Sequence, residues 1–130
     1  MFRDAIERTD RSRLGVTFDS FPRGSCGDTA LLLGHFLKQH GFSDVTYLFG
    51  ERGEVNVDWT SHAWLRVEGY VVDITADQFP EVTARVIVAR DSNWHRGFEI
   101  ENEHEGDFSI YDAATVAALG QIYAAIVSVL

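Results

Sequence analysis

The sequence predicts an α+β domain in which one well-marked helix precedes a run of antiparallel strands and a second helix closes the chain. Three observations predict it. Residues 26–40 place apolar side chains at helical spacing and are followed by Gly41, residues 62–75 alternate in polarity about a two-residue turn, and residues 113–130 carry no charge.

In chain order, residues 2–12 are polar and charged with few apolar anchors, which suits a short surface helix or a loose arm ended by Gly15. Phe18 to Gly24 contains Pro22 and reads as a loop leading into the first strong helix, from about Cys26 to His40. Ser25 is its expected N-cap, with Asp28 completing a capping-box variant, and Gly41 is its C-cap. Cys26, Ala30, Leu33 and Leu37 fall on one face, so the cysteine heads a buried stripe.

Val45–Phe49 is a short strand, followed by a glycine-containing acidic loop from Gly50 to Asp58. The next two segments, His62–Val67 and Tyr70–Thr75, flank Glu68-Gly69 and form a hairpin. A two-residue turn there pairs Val67 with Tyr70. Ala63, Leu65, Val67, Tyr70, Val72 and Ile74 then make an apolar face, while His62, Trp64 and Arg66 share the other with Val71, Asp73 and Thr75. Val82–Ala89 is a further strand candidate, and Phe98–Tyr111 a ragged hairpin around an acidic tip. The closing helix, 113–130, is apolar nearly all round and calls for a buried or partner-covered position, its polar interruptions arguing against a bilayer span.

With 130 residues, 45% hydrophobic and 24% charged, the composition fits one folded domain spanning 1–130. Twenty acidic residues against 11 basic ones give a net charge of -9 and no basic patch, which excludes phosphate backbones and anionic membranes as natural partners. One cysteine makes no intrachain disulfide, and a charged amino terminus lacks the apolar core of a signal peptide, so the expected location is the cytoplasm. Export as an effector by a route without a cleavable signal would leave the same sequence.

The chemistry-bearing residues are Cys26, His62 and Asp73. A thiol at the first turn of a helix is favoured as its thiolate by unpaired backbone N–H groups. In the hairpin, His62 and Asp73 are diagonal neighbours on one face, within reach of each other. An imidazole that meets sulfur through one nitrogen and a carboxylate through the other is the arrangement a thiol nucleophile requires.

These residues carry a family resemblance. Phe21-Pro22-Arg23-Gly24-Ser25-Cys26 opening a helix, Gly41-Phe42, Ser61-His62-Ala63-Trp64-Leu65 and Val71-Val72-Asp73-Ile74-Thr75 resemble the core of the transglutaminase-like superfamily over residues 20–79. The resemblance implies a papain-like arrangement, with Cys26 as nucleophile, His62 as general base and then acid, and Asp73 as the orienting carboxylate. Arg23-Gly24-Ser25-Cys26 is also similar to the arylamine N-acetyltransferase pattern, with serine for its second glycine. The small size is closer to leader-cleaving proteases of lasso-peptide pathways. A cysteine peptidase or amidase acting on a protein or peptide is therefore expected, with a small-molecule amide as the lesser substrate class and no metal or organic cofactor. A glutamine deamidase or transglutaminase-type toxin, and a noncatalytic binding module, are the alternatives.

Three further residues are candidates for substrate contact. Trp59 and Trp64 bracket His62 and would wall a groove, and Gln78 is the candidate second oxyanion donor beside the backbone N–H of Cys26. The acidic stretch Glu99 to Asp107 has no calcium-loop or zinc spacing and reads as a solvated loop. Residues 113–130 are the candidate surface for a partner.

Overall fold

A computed structural model describes all 130 residues. Four helices and five strands follow in the order α1 (Phe2–Arg8), α2 (Cys26–Gln39), β1 (Val45–Arg52), β2 (Thr60–Val67), β3 (Tyr70–Asp73), β4 (Ile87–Ala89), α3 (Asn93–Arg96), β5 (Glu99–Glu105) and α4 (Ala113–Val127). The strands make one sheet of order β4-β3-β2-β1-β5, antiparallel at every pairing. The fold is α+β, as expected.

The hairpin adopts the register that its turn demands: Val67 pairs with Tyr70, Arg66 with Val71 and Leu65 with Val72. Glu68 and Gly69 both take positive φ, 50° and 87°, the backbone of a two-residue turn whose twist matches that of the strands. Alternation then sorts the side chains. Ala63, Leu65 and Val67 join the main core beneath α2, whereas Trp64 turns to a smaller cluster with Leu48 and Phe98.

Helix α2 packs on β1 and β2 through Ala30, Leu33 and their neighbours. Its close seat depends on Gly34, because a Cβ there would stand 1.8 Å from the carbonyl oxygen of Gly106. Gly41, at φ 97°, ends the helix in a Schellman motif, with Phe42 N–H donating to Leu37 and Gly41 N–H to Lys38.

Five expectations are corrected. Residues 2–8 are no surface arm: Phe2, Ala5 and Ile6 are buried, and Arg3 is buried with its guanidinium on Asp77 at 2.7 and 3.0 Å and on the carbonyls of Ile74 and Arg85. The capping box does not form, since the Ser25 hydroxyl donates to the Pro22 carbonyl. The loop after the first strand begins later than Gly50, because β1 continues through Arg52 in register with β2. Phe98–Tyr111 is not a hairpin but the edge strand β5 and a 3-10 turn, because β1 pairs with Glu99–Glu105 along its length, with one register shift that leaves Glu101 unpaired. The Val82–Ala89 segment pairs with β3 only over Ile87–Ala89.

Helix α4 turns Leu119, Ala125 and Ile126 into the core, and Asp112 caps it by accepting from Thr115 N–H. No helix is long and apolar enough to cross a membrane.

Candidate active site

Cys26 is the first residue of α2, His62 lies near the start of β2, and Asp73 ends β3. Strand pairing therefore fixes the last two relative to each other, and packing of α2 on β2 brings the first to them. His62 Nε2–H donates to Asp73 Oδ2 at 2.7 Å, with both residues buried. The other oxygen, Oδ1, accepts from Thr75 N–H at 2.9 Å and from its hydroxyl at 3.4 Å. Thr75 leaves the strand to do so, which is why β3 stops at Asp73.

With Nε2 committed to Asp73, Nδ1 is the His62 nitrogen left for sulfur. Gln78, in the 3-10 turn Ala76–Gln78, donates its carboxamide N–H to that same Nδ1 at 3.2 Å. Cys26 is half-buried beside it. Burial alone would keep the thiol protonated, but His62 and the backbone N–H of Ala63 outweigh it and hold the Cys26 pKa below the ordinary thiol value. Burial likewise opposes the imidazolium, yet Asp73 and then Cys26 push the His62 pKa up to about 9. Asp73 stays far below the carboxylate range despite its burial, held there by His62 and His95. Both shifts favour transfer of the thiol proton to His62.

Three of the candidate residues are therefore gathered at one point, with Gln78 as a fourth. The tryptophans behave otherwise. Trp64 is 3% exposed and stacks on His62 with ring centroids 5.7 Å apart, so it offers no surface to a substrate and serves as a wall behind the imidazole. Trp59, 47% exposed, lies just before β2. Phe79, Trp94 and Phe98 complete an aromatic enclosure around His62, and the Arg52 guanidinium lies over all three rings. Such an enclosure excludes water from the imidazole and strengthens its pairing with Asp73.

The sequence reading missed His95. Its Nε2–H donates to Asp73 Oδ2 at 2.7 Å, so two histidines share one carboxylate oxygen. The sequence signals only the turn that carries it: Ser92 caps α3 by accepting from the His95 backbone N–H.

His62, Asp73 and His95 are also a group of metal-ligand type. Donor atoms around a tetrahedral ion with bonds of about 2.0–2.1 Å stand about 3.3 Å apart. Both nitrogens lie 2.7 Å from Oδ2, the spacing of charge-assisted hydrogen bonds, and that is what the group makes.

The site can generate a thiolate, hold an imidazolium against it, and keep the tautomer fixed through a buried anion. Compared with family models, curated proteins and solved structures, the chain matches none of them.

Proposed function

We propose that the protein is a cysteine hydrolase, a peptidase or amidase of transglutaminase-like type, acting on a protein or peptide. The observation that supports this reading is the buried 2.7 Å His62–Asp73 pair, set against a half-buried cysteine at the head of a helix whose thiol pKa His62 lowers.

The reaction balances with these groups alone. The Cys26 thiolate attacks the acyl carbon, forming a C–S bond and an oxyanion, which the backbone N–H of Cys26 and the Gln78 carboxamide would receive. Protonation of Nδ1 ends its role as acceptor for Gln78, so the amide is released when the ion pair forms. His62 Nδ1–H then protonates the leaving nitrogen as the C–N bond breaks, leaving a thioester. Water gives a proton to Nδ1, attacks the thioester, and the C–S bond breaks to restore the thiolate.

The test is a burst experiment with p-nitrophenyl acetate, followed by intact-mass measurement. One acetyl group on Cys26, absent in Cys26→Ala and strongly reduced in His62→Ala, is the expected result. Acetylation no faster than that of a free thiol would overturn the reading in favour of a noncatalytic binding module. A primary amine added during turnover separates hydrolysis from transamidation: amide product in place of acetate would assign the transglutaminase type.

A further inference from the structure

We infer that His95 is a positioning residue for the Cys26–His62–Asp73 centre, a fourth member that aligns the Asp73 carboxylate on His62. The inference rests on the thiol-transfer reading above.

It follows from how the donors are placed. Asp73 is 2% exposed, so its oxygens must find their donors within the protein. Oδ1 is served by Thr75, and Oδ2 by His62 and His95, each at 2.7 Å. His95 thus bonds the oxygen that His62 uses, and fixes the rotation of the carboxylate about its last bond.

His95 is itself fixed on every side. Its Nδ1 lies 2.6 Å from the Ser92 hydroxyl, and its ring packs against Trp64 and Trp94 with centroids 4.9 and 4.8 Å away. It bonds Asp73 and Ser92, and no bond joins it to His62 or Cys26, so its hydrogen-bonded route to the centre runs through Asp73.

Removing the His95 donor has two opposing consequences. A carboxylate with fewer donors is a stronger partner for His62, which would favour the ion pair. Against this, one lone pair of a buried anion is left facing aromatic rings, a heavily penalised state that Asp73 escapes by turning away or by taking up a proton. Escape removes the support of His62 altogether, and in an enclosure of this kind it dominates.

The experiment is the pH dependence of Cys26 alkylation by iodoacetamide in the parent and in His95→Ala, His95→Phe and His95→Gln. The phenylalanine fills the space between the tryptophans without a donor, and the glutamine keeps an N–H. The alkylation midpoint is expected to rise by about one pH unit in His95→Ala and His95→Phe, about a tenfold loss of rate below the midpoint. His95→Gln should recover most of it. In an Asp73→Asn background, His95→Ala should add nothing further.

A midpoint that is unchanged or lowered in both donor-less variants would overturn the positioning role while leaving the triad standing. So would a loss that persists in the Asp73→Asn background. A parent whose Cys26 titrates as an ordinary thiol would instead overturn the thiol-transfer reading, and this inference with it. If His95→Ala does not fold, His95→Phe and His95→Gln carry the same comparison.

Discussion

Asp73 meets two histidines through a single oxygen, and that contact gives the site a measurable pH signature. The His62 pKa is raised from an ordinary 6.5 to about 9 in the folded protein, so its contribution to stability is full below about pH 6.5 and is lost as pH rises through 9. Cys26, whose pKa is lowered, contributes with the opposite sign, so a Cys26→Ser variant isolates the imidazole. Cys26 is itself one of the groups that raise His62, so urea midpoints of that variant are expected to fall from about pH 6.5 upward over a window that closes below 9, and a flat profile would contradict the pairing with Asp73. Asp73 acts at the other end: its depressed pKa stabilises the fold at neutral pH, and that support is lost as acid protonates it. At this scale the sequence was informative where neighbours are local. Cys26 heads a helix and His62 faces Asp73 across a hairpin, both readable from periodicity. His95 comes from a single turn between two strands, and nothing in its own segment signals that its partner lies 22 residues earlier.

Two glycines show how differently one residue type acts in two elements. Gly34 is where α2 meets the chain after β5, and a methyl group there collides with the backbone of Gly106, which cannot swing aside. Gly34→Ala is expected to destabilise by about 3 kcal/mol, the upper end of ordinary overpacking, and to displace Cys26 with the helix. Gly120 sits within α4 with nothing near the position of a Cβ. Gly120→Ala is expected to stabilise by about 1 kcal/mol, the helix-propensity difference. Thermal unfolding of both variants checks the pair, and equal effects would refute the packing at Gly34. The hairpin and α2 were legible because period and turn chemistry agree over short stretches. β5 was not, because Glu99–Glu105 is a strand only by virtue of the unpaired edge of β1, and its own composition reads as a solvated loop.

Across the whole molecule, the sheet separates a helical core from an aromatic one, and the catalytic candidates lie where the two meet. The main core holds α1, α2 and α4 against one face, while Leu48, Trp64 and Phe98 pack with Phe79 and Trp94 on the other. Arg3 ties the amino-terminal helix to the segment carrying Thr75 and Gln78 by holding Asp77 and the Ile74 carbonyl. This tie escaped the sequence because an arginine among acidic neighbours reads as solvated, and its partner is 74 residues away. Arg3→Met leaves the Asp77 carboxylate without its partner and is expected to cost about 3 kcal/mol, with the alkylation rate of Cys26 falling as Gln78 loosens. Unchanged stability would refute the tie. The hairpin, finally, has a consequence for the order of folding. His62 and Asp73 are 11 residues apart and are joined by a turn that closes on a microsecond scale, about 1–10 μs. Arg3 reaches Asp77 only after most of the chain has been drawn in. The acid–base pair is therefore expected to form early in folding and the arginine tie late. In a chevron plot Gly69→Val should slow refolding, because the turn needs its positive φ, whereas Arg3→Met should leave refolding nearly untouched and hasten unfolding.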